Sequence, residues 1–270
     1  PLPGVWGKQE EFDFLPQAGV ATQMGNQGTA SPAYRRAWEL IEDGALGEVK
    51  EVHVWNTGGG PGKRPLPKRA MPVPTYLKWD LWLGPASFRP YNERWLRWHG
   101  WRDFGTGVLG NWASHTMNLP FRALKIYSLW EKPGTFIHIR AEFQDLCRHS
   151  FPRWEVIQYD IPERKGLPPL KLTWYNGPGR APRCREIIEE KIGRRLDWGD
   201  AGQRRWKDHA GCIIVGTKAV LLANAHNTVF EIWPSGAIAD AGGPPRRIPR
   251  SPGHEREWIC LLYTSPSPRD

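Results

Sequence analysis

Apolar positions near the start of the chain repeat at the spacing of an amphipathic helix. In residues 31–49, Ser31 can cap the helix and Pro32 can occupy its first position. Apolar side chains then recur between Ala37 and Ile41, and Gly44 follows as a stop signal. This pattern predicts one well-defined helix.

Short runs of β-branched and apolar residues predict strands along most of the remaining chain. GTK (216–218) is expected to join the last two runs as a tight hairpin. One more helix is predicted over GVLGNWASHTMNLPFRAL (107–124). The predicted strands are VKEVHVW (49–55), residues 135–143 and 154–161, KLTWY (171–175), GCIIVG (211–216) and KAVLLA (218–223). Several successive strands without intervening helices indicate an antiparallel sheet.

Residues 57–110 form a long segment of Gly, Pro, Trp and Arg with little periodicity. Long irregular segments in compact domains are usually functional or disordered. Tryptophan carries a large apolar surface, so a segment this rich in it is expected to be packed. The tryptophans concerned are Trp79, Trp82, Trp95, Trp98 and Trp101. We expect this loop to pack around a pocket.

The composition is that of a folded, loop-rich globular protein. The 270 residues are 40% hydrophobic and 24% charged, with 26 Pro and 29 Gly, and no apolar run is long enough to predict a membrane span. The net charge is +9, but the arginines are scattered, so no nucleic-acid partner is predicted. Cysteines 147, 184, 212 and 260 form no CxxC pair, which predicts neither structural zinc nor a disulfide framework.

Two neighbouring segments carry the most specific pattern in the sequence, WDLWLGPASFRPYN (79–92) and WRDFGTGVLGNWASHTMNLPFRAL (101–124). They resemble a bacterial branch of the Gfo/Idh/MocA family of oxidoreductases, where similar WDxWLGP, RPY, DFGTG and G-D-x-x-x-H-x-x-D stretches occur in this order. VATQMGNQG (20–28), PPLKLTWYNG (168–177) and RSPGHEREW (250–258) also look like the family. The resemblance therefore covers nearly all of the chain up to residue 259.

This resemblance implies a fold and a domain organisation. The family joins an N-terminal Rossmann domain, which binds NAD or NADP, to a substrate domain. We therefore expect an α/β fold, with an α+β substrate domain whose open, mainly antiparallel sheet has helices on one face, plus a remnant of a Rossmann domain. The expected boundaries are 1–28 for the remnant, 29–259 for the substrate domain and 260–270 for a non-native or disordered tail. Because no GxGxxG occurs at the start, most of the nucleotide-binding half is expected to be missing.

The family's histidine motif implies catalytic positions in the helix predicted at 107–124. His115 matches the histidine, which could accept a hydroxyl proton as hydride leaves the same carbon. Asn111 lies four residues earlier, on the same predicted helix face. Asn111 and Asn118 stand where the family has aspartates, and an amide can hydrogen-bond a hydroxyl but cannot take its proton. We predict His115 and Asn111 as the catalytic positions.

The resemblance also implies contacts to substrate and cofactor. Aromatic faces pack against sugar C–H surfaces, and Arg and Asp side chains bond hydroxyls. Asn26 and Gln27 follow the carboxyl end of a short apolar strand predicted over GVATQMG (19–25). Open α/β sheets bind ligands at this end of their strands, so both residues are predicted to contact the cofactor. The predicted substrate-binding residues are Arg89, Tyr91, Trp98, Arg102 and Asp103. We expect His115 to line the largest pocket of the domain, close to Arg102 and Trp98.

Three other motifs are interpreted as structural. EKP (131–133) matches a Glu-Lys-Pro motif of the family, but it follows the histidine helix instead of preceding the QMG strand, which indicates a coincidence. GGGPG (58–62) is not followed by a helix pattern, so it is a loop and not a nucleotide fingerprint. His254 and Glu257 are only two possible ligands, so a helix start is predicted there and no metal site.

The resemblance implies hydride transfer between NAD or NADP and a sugar or polyol, in a complete protein that forms a homo-oligomer. Two alternatives stay open: an NAD-dependent glycosidase of the same family, and a non-catalytic carbohydrate-binding relative, which Asn111 and Asn118 suggest. No membrane partner is expected, and the compartment stays open between cytoplasm and periplasm. The chain by itself is expected to be inactive.

Overall fold

The computed structural model describes residues 25–131, 133–195, 209–234, 236 and 245–264. The helices in these ranges are α1 Pro32–Glu42, α2 Trp79–Leu83, α3 Gly107–Thr116, α4 Asn118–Ala123, α5 Cys184–Ile192 and α6 His254–Thr264. The strands are β1 Val49–Asn56, β2 His138–Gln144, β3 Trp154–Ile161, β4 Leu170–Asn176, β5 Ala210–Gly216, β6 Val220–Asn224 and β7 Phe230–Trp233. Short 3-10 helices occur at Gln27–Ala30, Glu93–Leu96, Trp98–Gly100 and Ile126–Glu131. Of the predicted Rossmann remnant (1–28), residues 1–24 lie outside the described part of the chain.

One seven-stranded sheet forms the centre of the described part, with strand order β2-β3-β4-β1-β5-β6-β7. Strands β1 and β4 are parallel, and all other neighbouring pairs are antiparallel. The segment 216–218 connects β5 to β6 as a hairpin, as predicted. The prediction of an open, mainly antiparallel sheet is therefore confirmed.

Helices cover both faces of this sheet. Along β5, Cys212 and Ile214 point into the main core under α1, α3 and α4, whereas Ile213 and Val215 point to the opposite face. Helix α5 packs on that opposite face through Ile188, which is fully buried. The expectation of helices on one face is wrong for α5, because β5 is apolar on both sides and its second side also needs cover.

The first predicted helix is confirmed as α1. The Ser31 hydroxyl accepts a hydrogen bond from the Ala33 backbone N–H at 3.2 Å, which caps the helix. Ala37 and Leu40 are buried against the sheet. After the helix, Gly44 adopts a positive φ of 77°, the conformation in which glycine commonly ends helices.

The helix predicted over 107–124 is in fact two helices, α3 and α4. Pro120 has no N–H, so the carbonyl of Thr116 loses its helical partner. Asn227 replaces that partner: its Nδ2 donates to the Thr116 carbonyl at 3.4 Å, and its Oδ1 accepts from the Leu119 N–H at 3.2 Å. Through these two hydrogen bonds, Asn227 attaches the α3–α4 junction to the turn between β6 and β7.

The aromatic loop, residues 57–110, packs around an apolar cluster of its own. Four of its five tryptophans join this cluster, which confirms the packing prediction for them. Trp98 is the exception, because its side chain is 42% exposed. The members of the cluster are Leu77, Trp79, Trp82, Leu83, Tyr91, Trp95, Trp101 and Phe104.

Helix α6 begins at His254, where a helix start was predicted, and extends to Thr264. It therefore includes the first residues of the segment 260–270, for which a non-native or disordered tail was predicted. Residues 265–270, and Lys132 of the EKP sequence, lie outside the described part. Sequence patterns did not predict α5 or β7. Among the described helices, none has the length and apolar character needed to cross a membrane.

Glu39 on α1 binds the segment before α6 to the sheet domain, although its carboxylate is fully buried. It accepts hydrogen bonds from the backbone N–H groups of Arg247 and Ile248, both at 2.8 Å, and from the guanidinium of Arg250 at 2.7 and 3.0 Å. The Arg250 hydrogen bond, more than any other contact, lowers the pKa of Glu39 to about 2. A carboxylate in this setting stabilises the fold only while it is ionised.

We expect Glu39→Gln to lower the free energy of unfolding at pH 7 by about 3 kcal/mol, because the folded pKa of Glu39 lies well below its ordinary value of 4.5. This contribution is present above pH 4.5 and is lost as the pH falls towards 2. Urea unfolding at pH 7 and pH 3 measures it. Glu42→Gln is the control, with an effect under about 0.5 kcal/mol. An equal Glu39→Gln effect at both pH values would contradict this assignment.

Candidate functional site

A narrow crevice lies where the 3-10 helix Gln27–Ala30, α1, the α3–α4 junction and the β6–β7 turn meet. It encloses about 150 Å³ of space that is continuous with solvent, and this space is too narrow to hold a water molecule. Of the predicted site residues, His115 and Asn26 line it. The complete lining is Asn26, Gly28, Thr29, Tyr34, Ser114, His115, Asn118 and His226. None of these residues is a lysine, arginine or carboxylate.

His115 lies in the last turn of α3, at the edge of the helix break. Its ring contacts the ring of His226 edge-on, with centroids 4.8 Å apart, and that of Trp112 at 5.9 Å. Burial lowers the pKa of His115 below its usual range, and charge on His226 lowers it further. At neutral pH, His115 is therefore a neutral imidazole that can accept a proton.

Asn118 is held by hydrogen bonds on both sides of its amide. The Tyr34 hydroxyl donates to Asn118 Oδ1 at 2.5 Å, and Asn118 Nδ2 donates to the Ser114 carbonyl at 3.1 Å. A carboxylate at position 118 would place an oxygen against that carbonyl, so the local geometry favours the amide. Burial raises the pKa of Tyr34, which keeps its hydroxyl protonated and able to donate.

The opposite wall of the crevice is formed by a tight turn against the β6–β7 connection. Asn26 has a left-handed backbone with φ of 60°, and its carbonyl accepts hydrogen bonds from Thr29 N–H and Oγ1, both at 3.0 Å. A Cβ on Gly28 would lie 2.2 Å from the carbonyl oxygen of His226. Glycine at position 28 therefore allows the turn to contact the residue that faces His115.

Two predicted site residues lie next to the crevice but do not line it. Asn111 is one helical turn before His115 on α3. Gln27 begins the 3-10 helix whose neighbouring residues form the crevice wall. The catalytic role of Asn111 and the cofactor contact of Gln27 stay predictions.

Arg89, Tyr91 and Asp103 are engaged within the aromatic loop. The guanidinium of Arg89 forms an ion pair with Asp103 at 2.7 Å and lies 4.9 Å from the ring centroid of Trp95. Tyr91 is 6% exposed and contacts the ring of Trp79 edge-on. These contacts stabilise the loop, and a role of the three residues in substrate binding stays a prediction.

Trp98 and Arg102 precede α3. Trp98 stacks on His99, and Arg102 Nε donates to the carbonyls of Cys147 and Ser150 at 3.2 and 3.0 Å. His115 lies at the other end of α3, about 12 Å further along the helix axis from its first residue. Neither Trp98 nor Arg102 lines the crevice with His115, in contrast to the expected arrangement.

Sequence reasoning missed Tyr34, Ser114 and His226 as lining residues. Tyr34 lies on the apolar face of α1 and has the pattern of a core residue. His226 follows the last predicted strand and lies in the short connection between β6 and β7, and its position in a turn of polar residues was the available signal. In the part of the chain that the structure describes, no three His, Cys, Asp or Glu side chains are grouped as metal ligands.

Solved structures of similar proteins include an oxidoreductase from Sinorhizobium meliloti (14% identity, 97% of this chain and 61% of that chain, TM-score 0.45). An NAD binding oxidoreductase from Klebsiella pneumoniae is 15% identical over 87% of this chain and 48% of that one, with a TM-score of 0.43. A super-repressor mutant of Gal80p from Saccharomyces cerevisiae is 15% identical over 83% of this chain and 48% of that one, with a TM-score of 0.41. The chain thus spans roughly half of these structures, and no curated protein matches it.

A family model matches the sequence directly, over residues 39–158. Its description is the C-terminal alpha/beta domain of an oxidoreductase family, and its name is that of Gfo/Idh/MocA. The matched range contains the last four residues of α1, then β1, the aromatic loop, α3, α4, β2 and most of β3. His115 and Asn111 lie inside it. Residues 39–158, somewhat less than half of the chain, therefore match the C-terminal alpha/beta domain of the Gfo/Idh/MocA oxidoreductase family.

Proposed function

We propose that this chain is the substrate-side part of an NAD(P)-dependent oxidoreductase that acts on a sugar or polyol. The observation that carries the proposal is a neutral, half-buried imidazole, His115, at a crevice edged by Asn26. Oxidation of an alcohol needs a base that takes the hydroxyl proton while the C–H electron pair leaves as hydride. The family match over residues 39–158 supports the same class of reaction.

As the structure has it, the crevice leaves no room for a water molecule, so it would have to open to admit a hydroxyl-bearing carbon and one edge of a nicotinamide. Asn26 has an amide, the group that would pair with a carboxamide. No lining residue is cationic, so the phosphates of a dinucleotide would be held elsewhere. The chemistry that NAD or NADP supplies when bound is acceptance of a hydride.

In this mechanism, His115 takes the substrate's hydroxyl proton on a ring nitrogen. Tyr34 does not compete as a base, because its hydroxyl is protonated and donates to Asn118. Asn118 in turn holds the start of α4 against α1 and against the Ser114 carbonyl. These contacts fix the wall around the imidazole, so that the proton acceptor is held in one orientation.

The test is to express the protein encoded by the complete reading frame and incubate it with NAD or NADP and a panel of sugars and polyols. We expect reduced nicotinamide to form with at least one compound. A folded protein that binds NAD or NADP but reduces it with none of the panel would contradict the proposal. Because the chain spans about half of similar proteins, the isolated 270 residues are expected to show no such reduction.

The pH dependence of this oxidation should follow His115. We expect kcat/KM to rise with pH through one group whose pKa lies below 6.5 and then to level off, because burial and His226 disfavour the protonated imidazole. Initial rates from pH 4.5 to 8 measure this profile. An inflection above pH 7 would show that a different group accepts the proton.

Asn111→Asp should raise kcat/KM at neutral pH by about threefold or more, because a carboxylate one turn from His115 stabilises the imidazolium that forms. Asn111→Leu, of similar size and without charge, is the matched control and should not raise the rate. An unchanged or lower rate for Asn111→Asp would mean that the enzyme uses the amide as it stands.

A second candidate function is carbohydrate binding without catalysis. The observation in its favour is that Asn111 and Asn118 are amides, and that Asn118 is hydrogen-bonded as an amide on both sides. Calorimetry with the same sugars and polyols, run beside the hydride-transfer assay on the complete protein, separates the two functions. Saturable sugar binding with no reduction of NAD or NADP would favour the binding protein.

A further inference from the structure

We propose that His226 is a positioning residue of the crevice, which holds the His115 ring and keeps it in the neutral, proton-accepting form. The inference deepens the proposed function, because it assigns to His226 an effect on that function's proton acceptor. The two imidazoles meet edge-on with centroids 4.8 Å apart, and both line the crevice.

The rings of His115 and His226 form a set of three mutual contacts together with the ring of Trp112. Trp112 lies 5.9 Å from the His115 ring and 5.8 Å from the His226 ring. Each ring therefore touches the other two, which limits rotation of all three. The backbone at His226 is held separately: its carbonyl lies against Gly28, and the next residue, Asn227, is bonded to the α3–α4 junction.

The chemistry of the pair disfavours charge on His115. His226 Nδ1 is buried and has no hydrogen-bond partner among the described residues. Two imidazolium ions in contact would repel each other, and each ring also removes water from the other. Both effects act through His115 and do not require His226 to touch the substrate.

Few other charges face His115. From α1 the titratable group is Tyr34, which is protonated, and from the β6–β7 turn it is His226. The 3-10 helix contributes only uncharged groups to the crevice. Arg35 and Arg122 act on Tyr34, and His209 faces Trp112 at 6.2 Å without contacting His115. Among the lining residues, His226 is thus the second imidazole beside His115.

The experiment is a pH titration of the 270-residue chain labelled with ¹⁵N in its histidine rings, followed by NMR. His226→Gln should shift the pKa of His115 upward, towards the ordinary histidine value, because the neighbouring charge and part of the desolvation are removed. His209→Gln is the matched control: it removes another imidazole that contacts Trp112 and should leave the His115 titration unchanged. No shift in His226→Gln, or the same shift in both variants, would overturn the proposal.

Two further measurements keep the test decisive if His226→Gln does not fold. His226→Phe keeps an aromatic ring in the set of three but cannot carry charge, and the pKa of His115 should still rise. In the unmodified chain, the His115 signal should titrate below the ordinary histidine range. A His115 curve identical to that of an isolated histidine would contradict the pairing.

The titration separates this inference from the proposed function, because it needs neither substrate nor cofactor. If His115 shifts as expected but the complete protein oxidises no sugar or polyol, the pairing stands and the proposed function fails. If oxidation occurs and its pH profile is the same in His226→Gln and in the unmodified protein, the oxidoreductase stands and the positioning role fails.

Discussion

Replacing His115 with glutamine in the complete protein is expected to lower kcat/KM for sugar or polyol oxidation by about 10²- to 10⁴-fold, the range that a general base contributes. Glutamine can still hydrogen-bond a substrate hydroxyl, but it cannot accept the proton as hydride leaves. Most of the loss should therefore appear in kcat, with a smaller change in KM. Initial rates at saturating NAD or NADP measure both constants.

His209→Gln is the matched control for this loss. It makes the same substitution at a histidine that also contacts Trp112 but does not line the crevice. We expect less than about a twofold change in kcat/KM for this variant. A loss below tenfold for His115→Gln, or equal losses in the two variants, would show that the proton is taken by another group.

Asn227→Ala should lower the free energy of unfolding by about 3 kcal/mol, since it removes a fully buried amide that bonds to Thr116, Leu119 and Asn224. Alanine would also have to adopt the left-handed φ of 55° found at this position. Because the same bonds join the β6–β7 turn to the α3–α4 junction, the contact between His115 and His226 should loosen. Urea unfolding at pH 7 gives the stability.

Asn227→Gly separates the two causes of that loss. Glycine adopts a positive φ without strain, so this variant loses the amide bonds alone and should be about 1 kcal/mol more stable than Asn227→Ala. If the free energy of unfolding of either variant lay within about 0.5 kcal/mol of that of the unmodified chain, the α3–α4 junction would be held by something other than Asn227.

The regular elements with a strong local pattern could be predicted from the sequence. Helix α1 has its cap, its apolar spacing and its stop signal within 31–49, and β1 and β5 are β-branched runs of ordinary strand length. Helix α5 was missed because it follows a segment rich in proline and glycine, which hides its amphipathic pattern. Strand β7 was missed because its four residues carry too little periodicity to be recognised.

The break between α3 and α4 shows what a local pattern omits. Pro120 predicts a lost hydrogen bond to Thr116, but it does not reveal that Asn227, 111 residues later, makes the replacement. This long-range contact joins the α3–α4 junction to the β6–β7 turn, two of the elements that line the crevice. The family motif identifies His115 as a candidate site residue. No pattern identifies His226, because the sequence of the turn does not indicate which helix the turn contacts.

The arginines and aromatic residues before α3 show a second limit of sequence patterns. Arg89 and Tyr91 have the residue types of a sugar-binding surface, and from sequence alone a packing arginine has the same appearance as a binding one. Their partners, Asp103 for Arg89 and Trp79 for Tyr91, are supplied by the fold of the loop. The composition of the loop therefore predicted that it is packed but not which of its side chains remain available.

The most direct test of the central claim uses a polyol deuterated at the carbon that is oxidised. The complete protein is incubated with this polyol and NAD or NADP, and the reduced nicotinamide is examined for deuterium by mass spectrometry. We predict one deuterium per reduced cofactor for the unmodified protein, and a rate about 10²-fold or more lower for His115→Gln. Deuterium transfer that is equally fast in both proteins would contradict the account.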